Sequence, residues 1–169
     1  MRSMLFVPGD SPRKFEKASE GKADALIIDL EDSVVTDKKP EARGLTLAML
    51  KSRPGPHQLY VRVNALDTGM TLADLAAVMP GKPDGIVLPK SQGGDDVRLV
   101  TTWLEALEAA AGITIGATSA AAAAIRQRSR ARRYGLWNTP PLAFSVAPSE
   151  AERSSAPHIR PARRGEQPL

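Results

Sequence analysis

The chain has 169 residues and a mass of 18.1 kDa, which fits one globular domain and is too short for two typical ones. It has no cysteine and only two histidines, which excludes disulfides, thiolate nucleophiles and sulfur-ligated metals and disfavours a histidine-rich zinc site. The net charge of +4 is uneven, because residues 1–119 carry 8 Lys and 6 Arg against 16 acidic residues, whereas residues 120–169 carry 9 Arg against 3 Glu.

Short apolar runs alternate with segments of helical periodicity over the first two thirds of the chain, which is typical of a parallel α/β architecture. The predicted strands cover residues 4–7, 25–30, 58–64, 85–89 and, on a weaker pattern, 113–115. One predicted helix has Ser11 as its N-cap and Pro12 as its first residue, and it ends before Gly21. The other predicted helices cover residues 40–51, 71–78 and 95–111.

The spacing of these strands fits a (β/α)₈ barrel and also an open doubly wound sheet. A complete barrel needs at least about 200 residues. Residues 1–119 contain about four to five βα units, so they could form a partial TIM barrel of little more than half its strands or an open sheet, and the spacing alone does not decide between the two. Residues 120–169 are rich in Arg, Ala and Pro and are predicted to form a poorly ordered tail.

The arginines of residues 126–133 raise the alternative of phosphate binding. The tail lacks interleaved aromatic residues and the rest of the chain is acidic, so the sequence does not favour a nucleic-acid partner. No run of about 18 apolar residues occurs, and Pro8-Gly9 interrupts the N-terminus before an export signal can develop. We therefore expect a cytoplasmic protein without a membrane segment.

Three carboxylates follow the second predicted strand, at Asp29, Glu31 and Asp32. Strand alternation places Asp29 and Glu31 on one face, and charges this close need a positive partner such as Mg²⁺, Arg or Lys. The acids are interpreted either as a functional site or as a loop cap with a structural ion pair.

Arg62 and Asn64 end the third predicted strand and alternate with Val61 and Val63, so they are predicted to share the face opposite the valines. The guanidinium fork suits the carboxylate or phosphate of a ligand. The alternative is a buried pair between Arg62 and one of the acids that follow the second strand.

Three further features are ambiguous from the sequence alone. Lys90 ends the fourth strand, either as a Schiff-base lysine or as a partner of the carboxylates. Pro8-Gly9-Asp10 follows the first strand, either as an anion-binding turn or as a plain connection to a helix. His57 follows Pro54-Gly55-Pro56 and is predicted to face solvent.

Taken together, four segments resemble the HpcH/HpaI aldolase and citrate lyase β-subunit family over residues 3 to about 112. The segments are Leu5-Phe6-Val7-Pro8-Gly9, residues 25–34 with Asp29-Leu30-Glu31-Asp32-Ser33-Val34, Tyr60-Val61-Arg62-Val63-Asn64, and Asp84-Gly85-Ile86-Val87-Leu88-Pro89-Lys90. The resemblance implies a TIM-type barrel, Mg²⁺ dependence, and reversible carbon–carbon cleavage of a 3-hydroxyacyl-CoA thioester such as citryl-CoA or malyl-CoA.

The resemblance also implies roles for individual residues. The implied catalytic residues are Arg62, Glu31 and Asp32. The residues expected to bind an acyl-CoA or small carboxylate substrate are Arg62, Asn64, Pro8, Gly9 and Lys90. The residues expected to support the metal and its waters are Asp29, Glu31 and Asp32.

The chain departs from the family's pattern after residue 112. In the family, the fifth strand carries a metal-binding Glu and the sixth ends in a Gly-Ala-Glu-Asp-like segment, whereas here no acid occurs between Glu108 and Glu150. A frame change or truncation near residues 112–119 would explain the loss and would leave the chain a lyase of doubtful activity. The alternative is a noncatalytic half-barrel that oligomerises through its open sheet edge, and a homo-oligomer is expected.

Overall fold

A computed structural model describes residues 1–123 and 145–146 of the chain. Within these residues one sheet contains six strands, which are β1 (Met4–Pro8), β2 (Ala25–Asp29), β3 (Gln58–Arg62), β4 (Gly85–Pro89), β5 (Ser119–Ala123) and β6 (Ser145–Val146). Strands β1 to β5 are parallel and follow one another in chain order, and β6 pairs antiparallel with β5. This order is that of a (β/α)₈ barrel, because the order of a doubly wound sheet reverses.

Helices connect the parallel strands, and they are α1 (Pro12–Ser19), α2 (Lys39–Ser52), α3 (Thr71–Val78) and α4 (Gly94–Ala110). Short 3₁₀ turns cover Thr36–Lys38, Leu66–Thr68 and Met79–Gly81. The described residues thus contain four βα units and a fifth parallel strand, which confirms the predicted partial barrel. None of these helices has the length and apolar character needed to span a bilayer.

The two faces of the sheet have different environments, as strand alternation requires. One face packs against the helices and forms the main core, with Leu26 and Ile28 of β2 and Val61 of β3 among its members. The opposite face carries a second, smaller cluster that includes Ile27 and Tyr60. This second face corresponds to a barrel interior, and Asp29 and Arg62 extend it toward the carboxyl ends of their strands.

Helix α1 begins as the sequence predicts, but Ser11 does not cap it with its side chain. Instead, the Ser11 backbone carbonyl accepts the N–H groups of Lys14 at 3.1 Å and Phe15 at 3.2 Å. Ser11 is thus the N-cap residue, as predicted, although its side chain makes no capping hydrogen bond, and Pro12 begins the helix.

The fifth strand lies later than the sequence pattern predicts, because residues 113–115 belong to a loop. Gly112 and Gly116 have φ angles of 64° and 82°, and the buried Glu108 carboxylate accepts the N–H groups of Gly116 and Thr118 at 2.6 Å each. These contacts hold the loop over the end of α4, so a strand cannot start before Ser119. Strand β5 therefore crosses the predicted boundary between residues 119 and 120, and the rest of the predicted tail, apart from β6, lies outside the described residues.

His57 is buried instead of facing solvent. Its Nδ1 lies 2.7 Å from the Ala23 carbonyl oxygen and its Nε2 lies 2.9 Å from the Ser19 carbonyl oxygen. The prediction of an exposed loop histidine is wrong because the ring joins the start of β3 to the connection between α1 and β2.

Candidate functional site

Asp29 and Arg62 meet at the carboxyl ends of β2 and β3, where they are partners in the sheet register. Arg62 donates from Nε to Asp29 Oδ1 at 2.8 Å and from Nη2 to Asp29 Oδ2 at 2.7 Å. Both side chains are buried, and a two-point guanidinium–carboxylate pair is among the strongest polar contacts in proteins. This pair fixes the orientation of the guanidinium.

The Asp29 carboxylate accepts several further hydrogen bonds. They come from the backbone N–H of Glu31 at 2.8 Å, the backbone N–H of Ser33 at 3.1 Å and the Ser33 hydroxyl. Burial raises the pKa of Asp29, but the hydrogen bonds from Arg62, Ser33 and Glu31 lower that pKa more, so the carboxyl is ionised at neutral pH.

The guanidinium itself is held in its charged form. Burial lowers the pKa of Arg62, but the hydrogen bonds and charge of Asp29 raise it further, with help from Glu31 and Asp32. The guanidinium carbon also lies 4.9 Å from the centre of the Phe6 ring, a distance at which the ring attracts a cation.

The remaining guanidinium nitrogen, Arg62 Nη1, faces two other acids. It lies 3.1 Å from Glu31 Oε2 and 3.4 Å from Asp32 Oδ2. Glu31 Oε1 lies 3.0 Å from Lys90 Nζ, so the Glu31 carboxylate is placed between two cations. The structure thus brings together five of the sequence-predicted site residues, which are Asp29, Glu31, Asp32, Arg62 and Lys90.

Lys90 lies at the solvent side of this cluster. Its side chain is 42% exposed, compared with 6% for Glu31. Contact with Glu31 raises the pKa of Lys90, which keeps its amine protonated. Because a Schiff-base lysine must lose its proton to act as a nucleophile, the contact favours the interpretation of Lys90 as a partner of the carboxylates.

Asn64 belongs to a neighbouring buried network. Its Oδ1 accepts a hydrogen bond from Lys39 Nζ at 2.6 Å, and its Nδ2 donates to Asp74 Oδ2 at 2.7 Å. Asp74 also accepts from Arg43 Nε at 2.8 Å. The amide therefore faces α2 and α3, and its prediction as a substrate-binding group remains untested.

Lys39 connects this network to the acidic loop. Its ammonium group donates to the carbonyl oxygens of Leu30 and Glu31 at 2.7 Å each, in addition to Asn64. Burial lowers the pKa of Lys39, and nearby carboxylates, Asp74 first among them, oppose this shift. The ammonium group fixes the backbone that carries Glu31.

Pro8 and Gly9 flank the site on its other side. Pro8 is the register partner of Asp29, and the Gly9 N–H donates to the Asp29 carbonyl oxygen at 2.8 Å. A Cβ atom at Gly9 would lie 2.8 Å from that oxygen and 2.9 Å from Thr46 Oγ1, so this close approach requires glycine. The Gly9 amide is thus already used within the protein, and a role in substrate binding remains a prediction.

The described residues do not by themselves fit a magnesium ion. Among residues 1–123 and 145–146, no three acidic or histidine side chains converge to hold a metal. Asp29 is engaged with Arg62, Ser33 and the Glu31 amide, which leaves Glu31 and Asp32 as nearby carboxylates. The supporting role predicted for the three acids remains untested.

Sequence reasoning missed Lys39, Asp74 and Phe6 as neighbours of the site. Lys39 follows Lys38 before a proline and looks like a solvated charge, so no local signal marks it. Asp74 is the single acid in the otherwise apolar α3, a pattern that could have identified a buried partner. Phe6 is part of a segment used for the resemblance, but its place beneath Arg62 depends on sheet register.

A family model for HpcH/HpaI aldolase/citrate lyase matches residues 2–128. A (3S)-malyl-CoA thioesterase of Cereibacter sphaeroides is 42% identical over 100 residues, which cover 59% of this chain and 35% of that protein. The citrate lyase β subunit of Escherichia coli is 39% identical over 128 residues, which cover 72% of this chain and 41% of that protein.

A solved citrate lyase β subunit from Mycobacterium tuberculosis, complexed with oxaloacetate and magnesium, is similar with a TM-score of 0.51 and 35% identity. The match covers 57% of this chain and 42% of that one. The chain therefore spans less than half the length of these relatives. The family match covers most of the chain and includes the cluster of Asp29, Glu31, Asp32, Arg62 and Lys90. The chain therefore belongs to the HpcH/HpaI aldolase/citrate lyase family.

Proposed function

We propose that this chain carries the substrate-anion site of a carbon–carbon lyase that cleaves a 3-hydroxyacyl-CoA thioester, such as citryl-CoA or malyl-CoA. One observation carries the proposal: Asp29 holds Arg62 through two hydrogen bonds and leaves Arg62 Nη1 facing Glu31, whose carboxylate also contacts Lys90. Arg62 and Lys90 are therefore two cations on either side of one carboxylate. A position between two cations suits the carboxyl group of a small acid.

The chemistry of the reaction agrees with this arrangement. Cleavage beside a thioester leaves an enolate, whose developing oxyanion needs a positive partner that is already in place. In the proposal, Arg62 Nη1 donates a hydrogen bond to the substrate's carboxyl or carbonyl oxygen. Asp29 holds the guanidinium in position, so little reorganisation is needed when substrate binds.

Magnesium enters the proposal through a relative, because the solved citrate lyase β subunit from M. tuberculosis is complexed with it. When bound, such an ion would supply Lewis-acid stabilisation of an enolate oxygen. No set of metal ligands converges among the described residues, so each proposed role belongs to a side chain and not to a metal ion. Glu31 and Asp32 are retained as candidate catalytic and metal-supporting residues, and Asn64, Pro8 and Gly9 as candidate substrate contacts.

Calorimetric titration of the full chain with oxaloacetate, with and without Mg²⁺, tests the proposal. We expect binding that weakens at least about tenfold in Arg62→Lys, because a lysine cannot reproduce the two-point contact with Asp29 or the position of Nη1. Equal affinity in wild type and Arg62→Lys would reject Arg62 as the anion site. An Mg²⁺-dependent gain in affinity would support the cofactor part of the proposal.

A second candidate function is a noncatalytic half-barrel that forms a homo-oligomer. The observation that favours it is strand β1, which pairs only with β2 among the described residues and exposes Leu5 at 45% and Phe6 at 48%. Light scattering after size exclusion tests it. A monomer at micromolar concentration would contradict this candidate, and a defined dimer without oxaloacetate binding would favour it over the lyase.

A further inference from the structure

Asp29 and Glu31 both contact Arg62, but they differ in how they do so. Asp29 accepts hydrogen bonds on both oxygens, whereas neither buried Glu31 oxygen meets the geometry of a hydrogen bond with any residue that the structure describes. The Glu31 oxygens lie 3.1 Å from Arg62 Nη1 and 3.0 Å from Lys90 Nζ, as ion pairs. Asp29 is therefore a structural anchor, and Glu31 is held by its two ion pairs.

Burying a carboxylate without hydrogen bonds costs free energy, so such a group in a folded protein calls for an explanation. Resting on the proposed function, we infer that Glu31 is an internal counter-anion of Arg62 and Lys90, which the carboxyl group of an incoming substrate displaces. Glu31 has the charge and the chemical group that the substrate would present to the same two cations. While no substrate is bound, it pairs with the guanidinium nitrogen that Asp29 does not contact.

The surroundings of Glu31 allow this exchange. Lys39 Nζ holds the Glu31 carbonyl oxygen at 2.7 Å, so the side chain can turn while its backbone stays in place. The neighbouring side chains lead to solvent, because Lys90 is 42% exposed and Asp32 is 67% exposed. The displaced carboxylate can therefore be solvated.

Displacement has a measurable consequence, because Glu31 competes with the ligand. Removing its charge in Glu31→Gln should strengthen the binding of a carboxylate ligand. If Glu31 instead contacts the substrate or supports a metal, the same substitution should weaken binding. The two interpretations thus predict changes of opposite sign.

The experiment is calorimetric titration of the full-length chain with oxaloacetate, in wild type, Glu31→Gln and Glu16→Gln, each with and without Mg²⁺. Glu16 is exposed on α1, so its variant makes the same chemical change away from the site. We expect about three- to tenfold tighter binding in Glu31→Gln, because the neutral side chain no longer competes with the ligand for the two cations, and no change in Glu16→Gln.

Two outcomes would overturn the inference. Weaker or unchanged binding in Glu31→Gln, with binding in wild type, rejects the counter-anion role and leaves the proposed function standing. No binding to either protein rejects the proposed function, and the inference falls with it. Binding that appears only in Glu31→Gln supports both. Urea unfolding checks the anchor role separately, and the midpoint should fall less in Glu31→Gln than in Asp29→Asn.

Discussion

Arg62 and Asp29 are direct partners across β3 and β2, and their side chains form a two-point ion pair with nitrogen–oxygen distances of 2.8 and 2.7 Å. The pair lies on the sheet face that corresponds to a barrel interior, at the carboxyl ends of both strands, where barrel enzymes build their sites. It anchors the guanidinium so that only one nitrogen, Nη1, is directed toward Glu31 and Asp32.

Asp29→Asn should destabilise the protein by about 3 to 5 kcal/mol, because it leaves the buried Arg62 guanidinium without its main counter-charge. Urea unfolding followed by circular dichroism measures the change. The control is Asp37→Asn, which alters an exposed aspartate and should leave the free energy of unfolding nearly unchanged. Equal stability of the two variants would contradict the anchor role.

Acid should weaken the fold through Asp29. Its pKa is lowered below the ordinary value of 3.8, so the unfolded chain binds a proton more readily than the folded protein does. The contribution of Asp29 to stability is therefore complete above 3.8 and is lost as pH falls through the lower folded pKa. Urea midpoints measured from about pH 6 to about pH 2.5 should decline less steeply in Asp29→Asn than in wild type.

Arg62→Lys should cost stability as well as ligand binding. Lysine keeps the positive charge but loses the planar fork that meets both Asp29 oxygens, and we expect a loss of about 1 to 3 kcal/mol. The matched control is Arg98→Lys, since Arg98 forms an exposed ion pair with Asp95 whose loss should be within about 0.5 kcal/mol. Urea unfolding of both variants would show no difference if the two-point geometry were unimportant.

Lys39→Met should destabilise the protein by about 2 to 4 kcal/mol, because three buried oxygen atoms lose their charged donor. The neighbouring Lys38 is exposed, so Lys38→Met is the control and should have little effect. Thermal or urea unfolding measures both. A small loss in Lys39→Met would mean that water replaces the ammonium group at these oxygens.

Gly85→Ala should destabilise the sheet by about 1 to 3 kcal/mol through overpacking. A Cβ atom there would lie 2.4 Å from Tyr60 Cε1 and 2.9 Å from the Ser119 carbonyl oxygen. Gly44→Ala is the opposite case, because a Cβ atom in this part of α2 meets nothing within 4 Å. It should stabilise the helix by about 0.5 to 1 kcal/mol. If the unfolding midpoints of Gly85→Ala and Gly44→Ala shifted in the same direction, the difference in space around the two glycines would not explain their effects.

The positions of β1 to β4 and the partial barrel were predictable from the sequence, because strands and helices show their periodicity in contiguous residues. Alternation also placed Arg62 opposite Val61, and the structure has Val61 in the main core and Arg62 beside Asp29. The fifth strand was missed because the loop before Ser119 depends on the buried carboxylate of Glu108, a tertiary contact.

The sequence by itself determined where β1 to β4 lie, and therefore which acids and cations meet at one edge of the sheet. Only the tertiary structure decided that Arg62 is anchored by Asp29, that Glu31 is held between two cations, and that Lys39 fixes the intervening backbone. The physical reason is separation along the chain. Arg62 and Asp29 are 33 residues apart and Lys39 and Asn64 are 25 apart, so folding creates these contacts and no local pattern encodes them.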